Sequence, residues 1–382
     1  MNLSYFISKR INQTSQSTFS SIINKIAIAS VAIGLAVMLV SFLILGGFQH
    51  TIKEKIFSFG AHLQITKYTL GNQFEEQPIS KTSYFYQNYE EYKFIDHVQE
   101  FSHKPGLLKT EEDVWGVLLK GVGKNFNIDR FNQNLIEGRF INLPDSGYSR
   151  EILISQKIAN LLRLKLDDDV IMYFVQDPPR YRKLNIVGIY KTDLEDFDEK
   201  IIIGDIGLIQ RLNNWDEDMV GGFEVFINDY NKMDQAEEIL MDEVDYDLYV
   251  EKISSKYIQI FEWLSLLNKN VVIFLTLILF VACFNMISIL LILIMERTQM
   301  IGILKALGAS NGQVRKIFVF DGMQLIYKGL LWGNIIALGF GFLQDKFKMI
   351  PLDPENYYMN FVPIEWNWLI LILINILVFL VV

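Results

Sequence analysis

Apolar residues along this chain follow two rhythms. In four places they run on almost unbroken: residues 26–48 hold 23 positions without a charge, and residues 271–295 lie between Lys269 and Glu296. A third run, near 317–342, carries Asp321 and Lys328 close to its start, and a fourth begins at Trp366 and is still apolar at Val382. At 1.5 Å per residue the first run makes about 34 Å of helix, enough to cross a hydrocarbon core of about 30 Å. It is longer than the apolar part of a cleaved signal peptide and ends in Gly46, Gly47 and Phe48 rather than a small-x-small site. Ending inside an apolar run predicts that the sequence lacks its natural C-terminus.

Between the first two runs the rhythm shortens to that of a folded domain. Strands are predicted at 62–66, 114–121, 170–175, 184–190 and 222–227. Helices are predicted at 156–164, with Ile158, Leu161 and Leu162 on one stripe, and at 233–244, with Ala236, Ile239 and Leu240. The fold class expected is therefore a membrane protein: four transmembrane α-helices with a large α+β extracytoplasmic domain between helices 1 and 2, built as one or two subdomains. Its segments are a cytoplasmic 1–25, helix 1 at 26–48, the domain at 49–268, helix 2 at 269–295, a cytoplasmic loop at 296–316, helix 3 at 317–343, an outer loop at 344–365 and helix 4, truncated, at 366–382.

Charge sets the orientation. Lys9, Arg10 and Lys25 precede the first helix with no acid beside them, and Arg297, Lys305, Arg315 and Lys316 sit between the second and third. Cytoplasmic flanks are rich in Lys and Arg, so residues 49–268 are expected on the far side of a bacterial inner membrane, in the periplasm. That segment holds 38 of the 44 acidic residues, and an acidic domain argues against nucleic-acid binding. Its charge-rich stretches at 193–199 and 242–247 read as solvated surface.

Candidate chemistry is sparse. The stretch GVLLKGV (116–122) has two glycines but Val122 where a phosphate-binding loop needs Lys, and Gly123-Lys124-Asn125 reads as a turn after a strand. His50, His62, His97 and His103 form no metal-binding pair, Cys283 stands alone, and no nucleophile elbow appears. The sequons at Asn2 and Asn12 fall in the cytoplasmic flank. The chain is not expected to be an enzyme or to bind a metal or cofactor itself. Ser30 with Gly34, and Gly329 with Gly333, have the small-x3-small spacing that lets helices pack closely.

The most informative stretch is ERTQMIGILKALGASNGQVRKIFVFDG (296–322). On a helix Met300, Ile303, Leu304 and Leu307 fall at i, i+3, i+4 and i+7 and form one apolar stripe, with Lys305 off it and Gly308 ending the helix. Such a stripe between two spans either lies in the membrane interface or docks into a partner's groove.

This loop resembles the signature loop of the class of four-span permeases that includes macrolide-efflux and cell-division members. Within that class LGGFQHTIKEKIFSFGAHLQI after the first span, PPRYRKLNIVGIYKTDLEDFDEKIIIGD in the outer domain and YYMNFVPIEWNW before the fourth span resemble the lipoprotein-releasing branch of ABC transporters. The likeness runs from residue 3 to Val382. It implies a second permease, identical or homologous, and a dimer of separate ABC ATPase subunits that bind the ATP and Mg. It further implies a lipoprotein substrate, taken with its acyl chains from the outer leaflet, and a periplasmic lipoprotein chaperone that receives it. By the same likeness Glu296, Arg297, Met300, Ile303, Leu304, Lys305, Leu307 and Gly308 couple to the ATPase, and the acyl chains enter a lipid cavity lined by the first two spans, which the bulky Met38, Phe42 and Phe48 either face or turn away from toward ordinary membrane lipid. The connection QDPPRYR (176–182) is shorter than the chaperone hook of some members. A macrolide-type efflux permease is the nearest alternative, although only 25 residues precede the first span where that type usually carries a fused ATPase. A cell-division signalling permease is a further alternative, with a much smaller outer domain.

Overall fold

A computed structural model describes residues 18–68 and 76–382. Lys9, Arg10, Asn2 and Asn12 lie outside the described residues. The chain forms two compact units, one made of the chain up to Thr51 with Glu262–Leu352 and Phe361–Val382, the other of Ile52–Phe261 with Asp353–Asn360.

The described residues open with a 43-residue helix, α1 (Thr18–Gly60), which runs past the expected end at residue 48 because His50–Gly60 contains neither proline nor a turn signal before Gly60. In the second unit there follow β1 (Leu63–Lys67), β2 (Ile79–Ser80), β3 (Ile95–Lys109), β4 (Val114–Val122), β5 (Leu135–Gly138) and β6 (Glu151–Ser155). Helix α2 (Gln156–Leu162) leads to β7 (Asp169–Phe174), β8 (Arg180–Tyr190) and β9 (Ile201–Asp205). Helix α3 (Ile206–Asn213), β10 (Met219–Val220), β11 (Gly222–Ile227), α4 (Met233–Glu243) and β12 (Leu248–Lys252) complete the unit's main elements. The main sheet is mixed and ten-stranded, in the order β12-β1-β11-β3-β4-β9-β6-β8-β5, with β7 pairing β3 and β8.

One sheet thus carries two cores. Leu63, Val98, Phe223, Val225 and Val250 pack against Met233, Ala236 and Leu240 of α4. At the other end Leu119, Ile152, Ile154, Met172 and Ile186 pack against Ile158 and Leu162 of α2 and Leu208, Ile209 and Leu212 of α3. The α2 stripe differs from the expected one: Ala159 is buried and Leu161 exposed, and in α4 Ile239 is likewise exposed. Caps explain where two helices begin and stop. Ser155 Oγ accepts from the Ile158 amide (3.0 Å) and Asp205 Oδ1 from that of Gly207 (2.8 Å), and Arg163 and Asn214 close the helices in the left-handed conformation.

The acidic stretch 193–199 is not all solvated surface. Asp198 is buried, accepting from the backbone amides of Thr192 and Asp193 and from the Thr192 hydroxyl (2.7 Å), and burial raises its pKa. Asp193 accepts from Lys55 Nζ (2.7 Å), which also donates to the Tyr358 carbonyl (2.9 Å), so segment 353–360 is fastened within this unit.

The first unit holds α1 up to Thr51, most of α5 (Ile258–Glu296), then α6 (Thr298–Ala306), α7 (Asn311–Phe347) and α8 (Trp368–Val381). Among the described residues three helices, α1, α5 and α7, are long and apolar enough to cross a membrane; α8 has 14 residues, short of the about 20 that a hydrocarbon core requires. Gly329 and Gly333 lie against α1 so closely that an added Cβ would stand 2.7 Å from Val31 Cβ and 2.9 Å from the Ala32 carbonyl oxygen. Polar contacts also join helices: Asn285 donates to Ser30, tying α5 to α1, and Asn334 and Asn375 exchange amide hydrogen bonds (2.7 and 3.0 Å) between α7 and α8.

Candidate functional site: the short helix between α5 and α7

Helix α5 ends at Glu296, Arg297 takes the N-cap position of α6, and the Thr298 hydroxyl turns back to the Met295 carbonyl (2.6 Å). Nine residues later the helix closes in a Schellman arrangement. The Gly308 amide donates to Lys305 O (3.0 Å) and the Ala309 amide to Leu304 O (2.9 Å), with Gly308 at φ +89°. A side chain at 308 would be strained there, which is why the sequence places glycine at this turn. Two residues on, Ser310 and Gln313 form a reciprocal capping box that starts α7. The sequence ALGASNGQ is therefore a stop signal joined directly to a start signal, and it leaves α6 room for only two and a half turns.

The stripe expected on this helix divides in two. Met300 and Leu304 are half-buried, whereas Ile303 is 63% exposed and Leu307, at the C-cap position, 80% exposed. Lys305 reaches forward to Asn311 Oδ1 across the turn, away from the stripe. Glu296 is exposed and Arg297 half-buried. Such an arrangement presents two uncovered apolar side chains on a short helix closed at its C-terminal end by the Gly308 turn.

Of the three residues expected at a lipid cavity, Met38 is 3% exposed, packed in a core with Leu35, Leu39 and Leu43. Phe42 is half-buried against the same core, and Phe48 is half-buried. Among the described residues no group of three or more His, Cys, Asp or Glu is arranged to hold a metal ion.

Sequence reasoning missed one polar constellation. Glu224 on β11 and Lys120 on β4 form an ion pair (2.6 Å) with side chains 0% and 3% exposed, and Gln64 and Gln99 donate to the same carboxylate (3.1 and 2.7 Å). Nothing in GVLLKGV or GFEVFI marks these charges as inward-facing, since the signal lies in the register that pairs distant strands.

Residues 26–242 match the MacB-like periplasmic core domain family and residues 272–382 the FtsX-like permease C-terminal family. The chain is 23% identical over 394 residues to the lipoprotein-releasing system transmembrane protein LolE of Haemophilus influenzae, covering 97% of this chain and 91% of the relative. It is 23% identical over 367 residues to the corresponding LolC protein of Neisseria meningitidis, covering 90% and 85%. The crystal structure of the periplasmic region of MacB from Actinobacillus actinomycetemcomitans aligns with 54% of this chain and 95% of that chain at 14% identity and a TM-score of 0.37. With a core-domain match over more than half its length, an FtsX-like C-terminal region and lipoprotein-releasing relatives along nearly all of it, the chain belongs to the FtsX/MacB-like family of ABC transporter permeases and resembles its Lol-type members.

Proposed function

We propose that this chain is the permease subunit of an ABC transporter that extracts lipoproteins from the outer leaflet of the bacterial inner membrane for delivery toward the outer membrane. The observation that carries the reading is the near full-length likeness to two lipoprotein-releasing transmembrane proteins. In this reading α8 serves as the fourth span, residues 49–268 stand in the periplasm, and the loop holding α6 is cytoplasmic, as its Lys and Arg residues favour.

The chain's part in transport is mechanical. ATP binding and hydrolysis belong to a separate ATPase dimer, which supplies the phosphate-binding loops. Ile303 and Leu307 enter a groove on that ATPase, Met300 and Leu304 fix the helix to its own chain, and Glu296, Arg297 and Lys305 flank the contact. Because Gly308 and the capping box join α6 to α7 without slack, a push on α6 moves α7 as well as α5. Lifting acyl chains out of a bilayer costs about 0.8 kcal/mol per CH2, which is the reason such a step needs ATP. In this reading Phe42 and Phe48 meet the acyl chains, and a second permease, identical or homologous, completes the membrane part of the transporter.

Depletion of the protein tests the reading. Outer-membrane lipoproteins should accumulate in the inner-membrane fraction of a density gradient. Normal sorting accompanied by altered drug sensitivity would refute lipoprotein release and favour the efflux reading.

A further inference from the structure

The buried charges of the second unit sit where two long helices meet their neighbours in sequence. Lys120 Nζ, besides pairing with Glu224, donates to the Phe59 carbonyl (2.5 Å) in the last turn of α1 and lies 5.1 Å from the centroid of the Phe59 ring. An ammonium there meets the negative end of the helix macrodipole and satisfies a carbonyl that has no partner within the helix. Gln64, bonded to Glu224 through Nε2, accepts from Lys256 Nζ through Oε1 (2.9 Å), and Lys256 stands two residues before α5. Aromatic rings close around the same point. Phe59 is 4.6 Å from Phe197, Phe197 is 4.9 Å from Tyr257, and an added Cβ on Gly60 would stand 2.9 Å from Ile253 Cδ1.

One carboxylate therefore gathers the end of α1 and, through Gln64, the residue that introduces α5. Stability alone does not explain it. A buried ion pair spends much of its attraction on desolvation, and a well-packed apolar pair of similar volume is often as stable or more so. What an apolar pair lacks is the directed bond to the Phe59 carbonyl.

We propose that Lys120 and Glu224 are positioning residues that hold the end of α1 and the root of α5 in fixed geometry on the sheet, so that movement begun at α6 is delivered to the outer domain. The inference rests on the permease reading above. Its test uses the complex of permease and ATPase in proteoliposomes. Nitroxide labels are placed at Tyr246→Cys and Phe347→Cys in a Cys283→Ser background, and their separation is measured by pulsed electron resonance with and without vanadate-trapped ATP.

The complex with Lys120 and Glu224 intact should show a change in label separation on trapping. In Lys120→Met/Glu224→Leu that change should be lost and lipoprotein release per ATP should fall about tenfold, while ATP hydrolysis and thermal stability are retained. Lys120→Met alone would strand a buried carboxylate, so the double substitution carries the experiment. If it fails to assemble, Glu224→Gln, which keeps the shape and one acceptor for Lys120, should show a partial loss of the change. A full change in either substituted complex, or none in the intact one, overturns the proposal. A complex whose labels move as expected but which releases no lipoprotein refutes the substrate reading and leaves the positioning role standing.

Discussion

Ile303→Asp/Leu307→Asp should detach the ATPase while leaving the permease folded. Full burial of an Ile or Leu side chain contributes about 1.5–3 kcal/mol. Ile303 still exposes 63% of its surface and Leu307 80%, so most of that gain is available to a docking partner. Together the pair offers about 2–4 kcal/mol, a loss of about 30- to 1000-fold in affinity when both are replaced by a charge that the groove must also desolvate. Neither side chain packs in the core of its own chain, so expression and thermal stability should be unchanged. Leu304→Asp is a different perturbation. Leu304 is half-buried within its own unit, so that substitution should lower stability as well as ATPase recovery. Lys305→Ala, whose side chain is engaged with Asn311, should have the smallest effect. The assay is co-purification of the ATPase in detergent, followed by a titration of purified ATPase onto immobilised permease. Undiminished binding by the double variant, with Leu304→Asp alone defective, would place the contact on the opposite side of α6 and refute the assignment.

Three further outcomes are expected. His62 is buried, its Nδ1 accepting from the Ile227 amide (3.1 Å), and burial followed by the nearby Arg130 charge lowers its pKa to about 4. The unfolded chain takes up that proton near pH 6.5 and the folded one only near 4, so stability is full above pH 6.5 and falls as pH drops through this window. The loss is about 3 kcal/mol, and His62→Gln should flatten the dependence of thermal unfolding on pH between 4 and 6.5. Gly333→Ala, which drives a methyl to 2.9 Å from the Ala32 carbonyl oxygen, should cost about 1–3 kcal/mol in detergent melts, whereas Gly34→Ala, with its nearest neighbour at 3.8 Å, should be neutral; equal melting temperatures would refute close packing of α7 on α1. In a Cys283→Ser background an impermeant thiol reagent added to spheroplasts should label Ser146→Cys and spare Ser310→Cys, and the reverse pattern would invert the orientation.

Elements whose environment is uniform were legible from sequence alone. Strand β11 spans Gly222–Ile227 as expected, and β7 shows strict alternation because one of its faces meets the core and the other does not. Strand β3 escaped notice because Pro105 lies inside it, and proline ordinarily speaks against a strand; pairing with β7 starts only at Gly106. At the candidate site the stop at Gly308 could be read because helix termination is local chemistry. Which half of the stripe stays uncovered could not, since Ile303 and Leu304 are equally apolar and differ only in the cover the folded chain gives them. Lys120 and Glu224 were invisible for the same reason: alone each reads as surface, and only the β4 and β11 registers bring them together.

The placement of β1 bears on how the protein is made. Leu63 pairs with Val225 on one side and Lys252 on the other, so a strand synthesised early finds both its neighbours near the far end of the domain. At about 5–20 residues per second the ribosome needs on the order of 10 s or more between them. Throughout that interval β1 has two open edges and its Leu63 and Ile65 have no core, next to a helix that is already apolar enough to enter the bilayer. The nascent chain is thus most vulnerable to mispairing and proteolysis before residue 252 emerges, and slow translation or a stalled export channel at that stage should be felt as loss of the whole permease rather than of its last strand.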